Sequence, residues 1–209
     1  MKLFLASSFD KTISLFIERL PNINKRQKVL FISNASDHCE GDKWWVESDR
    51  NAFIENGFDL SEIDLRDISK DDLSLQLNNS DILHICGGSV FYLLSLIREK
   101  ELESIIKDAI LKDKLIYTGT SAGSMIVANS VKSAFIEPEE KDFVKIIPDF
   151  NGIDLVNFLI VPHCNNSDFI KDNIDTARYL PELKTPLIML YDNQAVWVED
   201  RKIEILEKT

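Results

Sequence analysis

The chain has 209 residues, 44% hydrophobic and 28% charged, enough to bury a sizeable core within the range of one compact domain, expected to cover residues 1–209. Its 35 acidic residues against 24 basic ones give a formal charge of −11, which removes any general attraction to nucleic acid or to an anionic membrane surface. No apolar run approaches the roughly 20 residues of a membrane-spanning helix, and the apolar start of the chain is too short for a signal peptide, so a cytoplasmic protein with a small ligand is expected.

In chain order, KLFLASS (2–8) reads as a buried strand, and FDKTISLFIERL follows with Ile13, Phe16, Ile17 and Leu20 on one helical face. KVLFIS (28–33) is a second strand. In KWWVESDRNAFI, Trp44, Trp45 and Phe53 are expected to pack a helix on the sheet, while a loop at residues 35–45 could also line a pocket beside Gly87. DILHI (81–85) and KLIYTG (114–119) are further strands, and between them SVFYLLSLIREKELESIIKDAIL predicts two consecutive helices or one bent one. EPEEKD (137–142) reads as a solvated loop, and VNFLIVP (156–162) as another buried strand. From Leu187, three short apolar runs separated by DNQ and EDRK suggest antiparallel hairpins finishing the sheet. The alternation predicts an α/β fold, a doubly wound, mostly parallel sheet flanked by helices. The cysteines, Cys39, Cys86 and Cys164, lack the paired spacing of zinc sites and are expected as reduced thiols.

Only seven glycines occur, and four fall in two strand-to-helix loops, CGGSVFYLL and GTSAGSMI. Such loops lie at the carboxyl edge of a parallel sheet, where these folds bind ligands. The first fits neither a P-loop nor a dinucleotide fingerprint, but N–H groups around Gly87 and Gly88 could face an anion or a developing oxyanion. The second fits G-x-S-x-G, with Ser121 at a sharp turn and the Ala122 N–H as a second donor.

A serine needs a base, and three histidines are available. His38 lies in a polar loop, His84 inside an apolar strand as a core histidine, and His163 directly after an apolar strand at the carboxyl edge; His163 is the expected base. For the carboxylate that orients it, Asp192 and Glu137 are the candidates, Asp192 being preferred. The order Ser121, His163, Asp192 differs from the Ser, Asp, His order of α/β-hydrolases.

Together CGGSVFYLL, GTSAGSMI, VPHCNN and YDNQAVWV resemble, in order and spacing, the serine peptidase family that contains aspartyl dipeptidase (peptidase E) and cyanophycinase. The resemblance implies a class I glutamine amidotransferase-like fold with serine in place of cysteine. It implies Ser121 as nucleophile, His163 as base, Asp192 as acid, and Gly88 and Ala122 as oxyanion donors. It further implies hydrolysis of small peptides through an acyl-enzyme, without metal or organic cofactor. No nucleic-acid or membrane partner is expected, and a homo-oligomer is compatible with the sequence. Aspartate specificity calls for a cation near the substrate, yet Lys171, Arg178 and Lys184, the basic residues between the histidine segment and the last strands, sit in no matching motif. An amidase or esterase on a non-peptide substrate, and a binding module without turnover, remain alternatives on the sequence alone.

Overall fold

Residues alternating between two apolar faces build the central sheet, and helices from the intervening segments cover both faces. The computed structural model describes residues 1–20, 26–134, 136, 138–179 and 184–209. Strands β1 (Lys2–Ala6), β2 (Lys28–Ile32), β3 (Asp59–Ile63), β4 (Ile82–Ile85) and β5 (Ile116–Thr120) are parallel, side by side in the order β3-β2-β4-β5-β1. Between β5 and the C-terminus come β6 (Leu159–Val161) and β7 (Leu187–Met189). The main sheet continues through β8 (Gln194–Glu199), antiparallel to β1, and ends on β9 (Lys202–Glu207), antiparallel to β8. The chain thus has the expected mostly parallel α/β architecture with antiparallel C-terminal strands.

Along β1 the side chains divide by parity. Phe4 and Ala6 join the core under α1 (Phe9–Ile17) and α2 (Trp44–Glu55). Leu3 and Leu5 join the larger core under α3 (Lys70–Asn78), α4 (Val90–Glu99) and α5 (Glu103–Leu111). Phe9, Phe16, Phe31 and Phe53 are fully buried on the first face, each worth about 2–3 kcal/mol relative to exposure. The long helical pattern after Gly88 resolves into two helices, α4 and α5, with Glu101 at a φ of 54° in the break between them.

Three segments differ from the sequence-based expectation. Within VNFLIVP only β6 is a strand, and it pairs with β7 in a separate two-stranded sheet. The reason is that β1 already has β5 on one side and β8 on the other, so the main sheet offers no slot beside it. LIML is accordingly not the first arm of a hairpin; β8 and β9 alone form one. Finally, EPEEKD is not simply a solvated loop. A 3-10 turn (Pro138–Glu140) leads into α7 (Lys141–Ile146), and Glu140 is buried. Glu137 lies outside the described residues.

Candidate active site

The carboxyl ends of β1, β2, β4 and β5 open onto one cavity of about 650 Å³, the size of a small-ligand pocket. Its wall includes Ser121, His163, Asp192 and Gly88. Residues scattered over more than a hundred positions therefore converge at one sheet edge.

Ser121 follows β5 and precedes the short helix α6 (Ala122–Met125). It holds φ 49° and ψ −109°, a conformation costly for a residue with a Cβ, on the order of 1–3 kcal/mol. The neighbours over-determine this turn. The Ser121 N–H donates to the Ala6 carbonyl (3.0 Å), and the buried Ser124 hydroxyl lies within hydrogen-bond reach of both Ala6 O (2.8 Å) and Gly119 O (2.7 Å). The Tyr117 hydroxyl donates to Gly123 O at 2.5 Å. Gly123 must lack a side chain, because a Cβ there would lie 2.0 Å from Ile85 O. That close approach seats α6 directly on β4.

The Gly87-Gly88 loop lies against Ser121: a Cβ on Gly87 would stand 3.2 Å from the serine Cβ. Gly88 has φ 145°, and a Cβ there would strike Ala35 O at 2.2 Å. On the opposite side, the Trp45 indole N–H donates to Gly87 O at 3.1 Å. Among the described residues, neither the Gly88 nor the Ala122 N–H has a backbone or side-chain acceptor. Of these two, Gly88 lies in the cavity wall, while Ala122 is buried behind Ser121.

His163 Nδ1 meets Asp192 Oδ1 at 2.6 Å, with both side chains nearly buried. Hydrogen bonding to His163 holds the Asp192 carboxyl well below the usual range against the opposing effect of burial, and the Lys11 ammonium at 3.0 Å adds to this. An ionised Asp192 can only accept, so Nδ1 carries the proton and Nε2 of a neutral ring is left as the acceptor. His163 itself sits at φ 60°, and its ring stacks on Phe169 with centroids 4.3 Å apart. No hydrogen bond joins Ser121 to His163 among the described residues. Catalytic hydrogen bonds are often long in a site without ligand.

Two residues of this arrangement escape a sequence reading. Ser7, fully buried at the end of β1, accepts from the His163 N–H (2.8 Å) and donates to Asp192 Oδ1 (3.1 Å), tying base and acid together. Lys11, in the first turn of α1, is a further partner of Asp192. The only available signal for Ser7 was its position, a polar residue closing a buried strand beside β5, with Ala6 opposite Thr120.

The remaining candidates are placed as follows. His38 lines the cavity, stacked on Tyr92 and edge-on to Phe143. His84 is a core residue, as its strand suggested. Both readings of this region hold in part: Phe53 is in the core with Trp45 packed against it, and His38, Cys39, Glu40, Trp44 and Trp45 line the cavity. Lys184 is exposed. For metal binding, Asp49, His84 and Cys86 bring ligand atoms within 4.8 Å of one another, all buried. They pack closely together: His84 Nε2 meets Asp49 Oδ2 at 3.3 Å, and burial, with the nearby Asp49 charge adding, pushes the Cys86 thiol well up. All three cysteines are free thiols. Among the described residues, no helix is long and apolar enough to cross a membrane.

The sequence profile of peptidase family S51 matches residues 3–206. The chain belongs to peptidase family S51. It is 33% identical over 170 residues to an uncharacterized peptidase of Pasteurella multocida, covering 81% of this chain and 80% of that one. An uncharacterized peptidase of Listeria innocua is 30% identical, with 96% and 94% covered. Peptidase E of Shewanella baltica is 27% identical, with 89% of this chain and 76% of the relative covered. A solved structure described as a peptidase E protein of Listeria monocytogenes superimposes with a TM-score of 0.84 at 24% identity, over 100% of this chain and 98% of that one, a likeness of fold. The chain is thus a peptidase E-like member of its family.

Proposed function

We propose that this protein is a serine peptidase acting on small peptides. Ser121 Oγ attacks the scissile carbonyl carbon as His163 Nε2 takes its proton. The resulting oxyanion accepts hydrogen bonds from the Gly88 and Ala122 N–H groups. As the C–N bond breaks, His163 passes the proton to the leaving amine, and an acyl-enzyme remains on Ser121. Water then repeats the sequence and releases the acid. Asp192 keeps the proton on Nδ1 and stabilises the imidazolium that forms. Ser7 and Lys11 hold Asp192 in place.

The observation that carries this reading is the 2.6 Å His163–Asp192 contact in the same cavity wall as a serine at positive φ. Hydrolysis of a dipeptide panel by the parent protein and by Ser121→Ala tests it. The variant should fold normally and lose at least about 1,000-fold in kcat/KM. Equal rates in the two proteins would refute the assignment.

A further inference from the structure

The charge of the cavity bears on the substrate. Among the described residues, Lys11 is the one lysine or arginine in its wall, and that ammonium already pairs with Asp192. Carboxylates are spread around the same wall: Asp10 on α1, Asp49 on α2, and Glu40, Glu139, Glu140 and Asp172 from other segments. An aspartyl side chain entering this space would meet like charge.

A second, separate feature lies next to Ser121. Thr120 lines the cavity and is only 5% exposed, and among the described residues its Oγ1 has no hydrogen-bond partner. A buried hydroxyl without a partner is uncommon because its desolvation is not offset. Thr118 and Thr120 point to the same face of β5, by the two-residue period of a strand. Thr118 Oγ1 meets His84 there, on the side of α1 and α2, and Asp49 meets the other His84 nitrogen. The orphan hydroxyl and the Asp10–Asp49 pair, joined by the Asp10 N–H at 3.2 Å from Asp49 Oδ1, therefore belong to one side of the cavity floor.

We infer that Thr120, Asp10 and Asp49 form a cation subsite beside Ser121, which takes a positively charged group of the residue on the acyl side of the scissile bond. The chemistry is that of an ammonium or guanidinium, supplied by a free α-amine or by a lysine or arginine side chain. The subsite rests on the reading of this cavity as the place of peptide hydrolysis. Burial, and then the neighbouring Asp49, push the Asp10 carboxyl above its ordinary value, the response of crowded carboxylates that a bound cation would relieve.

Binding separates this inference from turnover. Calorimetry on Ser121→Ala with L-lysinamide, N-acetyl-L-lysinamide, L-norleucinamide and N-acetyl-L-norleucinamide places two, one, one and no cations on nearly the same skeleton. At least one cationic ligand should bind about tenfold tighter than N-acetyl-L-norleucinamide, an increment of roughly 1.4 kcal/mol. Which singly charged compound retains the gain tells the α-amine from the side chain. Adding Thr120→Val or Asp10→Asn should reduce that ratio several-fold, and Thr120→Ser should restore it. Equal binding of all four compounds, no binding of any, or a ratio indifferent to Thr120 and Asp10 would overturn the subsite. Failure of the peptidase reading shows elsewhere, as peptides left uncleaved by the parent protein.

Discussion

Two histidine–aspartate pairs occur in this molecule, and they differ in what surrounds them. His163 and Asp192 approach to 2.6 Å in the cavity wall, with side chains 11% and 9% exposed. His84 and Asp49 stand 3.3 Å apart with side chains 0% and 2% exposed. His84 even has a hydroxyl on its other nitrogen, Thr118 Oγ1 at 2.8 Å, so Thr118, His84 and Asp49 contain the residue types of a catalytic triad. But Thr118 lies inside β5, opposite Phe4 and His84, and is fully buried. Ser121 lies just past the strand's end at positive φ, against a glycine loop. On the proposed mechanism, the pair that serves catalysis is the one that shares its cavity wall with a hydroxyl held at a turn.

Substitutions can break this contrast or sharpen it. The largest effect is expected at the cavity pair. Asp192→Asn or His163→Gln should lower kcat/KM by about 10⁴-fold in protein that still folds, a loss far larger than any accompanying fall in the folded fraction. In the core pair the balance reverses. His84→Leu takes from the buried Asp49 carboxylate one of its partners, the Asp10 N–H remaining, and should cost about 3 kcal/mol, a fall in Tm of roughly 6–12 °C, while the reactivity of Ser121 per folded molecule is retained. Comparable activity losses at both pairs would end the distinction.

Trp45→Phe should have the next largest effect. The trans Gly87–Gly88 peptide points its carbonyl at the indole, so its N–H points the opposite way, and losing that hold should lower kcat about tenfold with a smaller change in KM. Ser7→Ala removes two hydrogen bonds to the His163–Asp192 unit and should cost roughly five- to tenfold in kcat/KM.

The smallest effect concerns Lys11. Because the folded-state pKa of Asp192 is depressed, its stabilising contribution is present above the unfolded value, about 3.9, and is lost as pH falls through the folded one. Lys11→Met should raise the Asp192 pKa, so the acid-unfolding midpoint moves modestly to higher pH, as circular dichroism would register. No movement would mean that the half-exposed ammonium is screened.

Much of the fold was legible because buried parallel strands are continuous apolar runs and their loops carry glycine where backbones touch. KLFLA, KVLFI, ILHI and IYTGT are all strands. What could not be read was strand order and edge structure. DLSEI in β3 is an edge strand, largely solvent-facing, so it lacks an apolar run, and the β6–β7 pairing depends on β8 having filled the place beside β1. At the site, the residues that a turn or strand end places were visible, among them Gly88, Ser121 and His163. Ser7 and Lys11 were not, because their places come from contacts across distant segments: they meet Asp192 across 185 and 181 positions.

Activation of Ser121 by His163 is the central step of the proposed mechanism. Intact-protein and peptide mass spectrometry after treatment with a fluorophosphonate should show a single adduct on Ser121. That adduct should be lost in His163→Ala and kept in His84→Leu. An unlabelled Ser121, or labelling indifferent to His163, would contradict it.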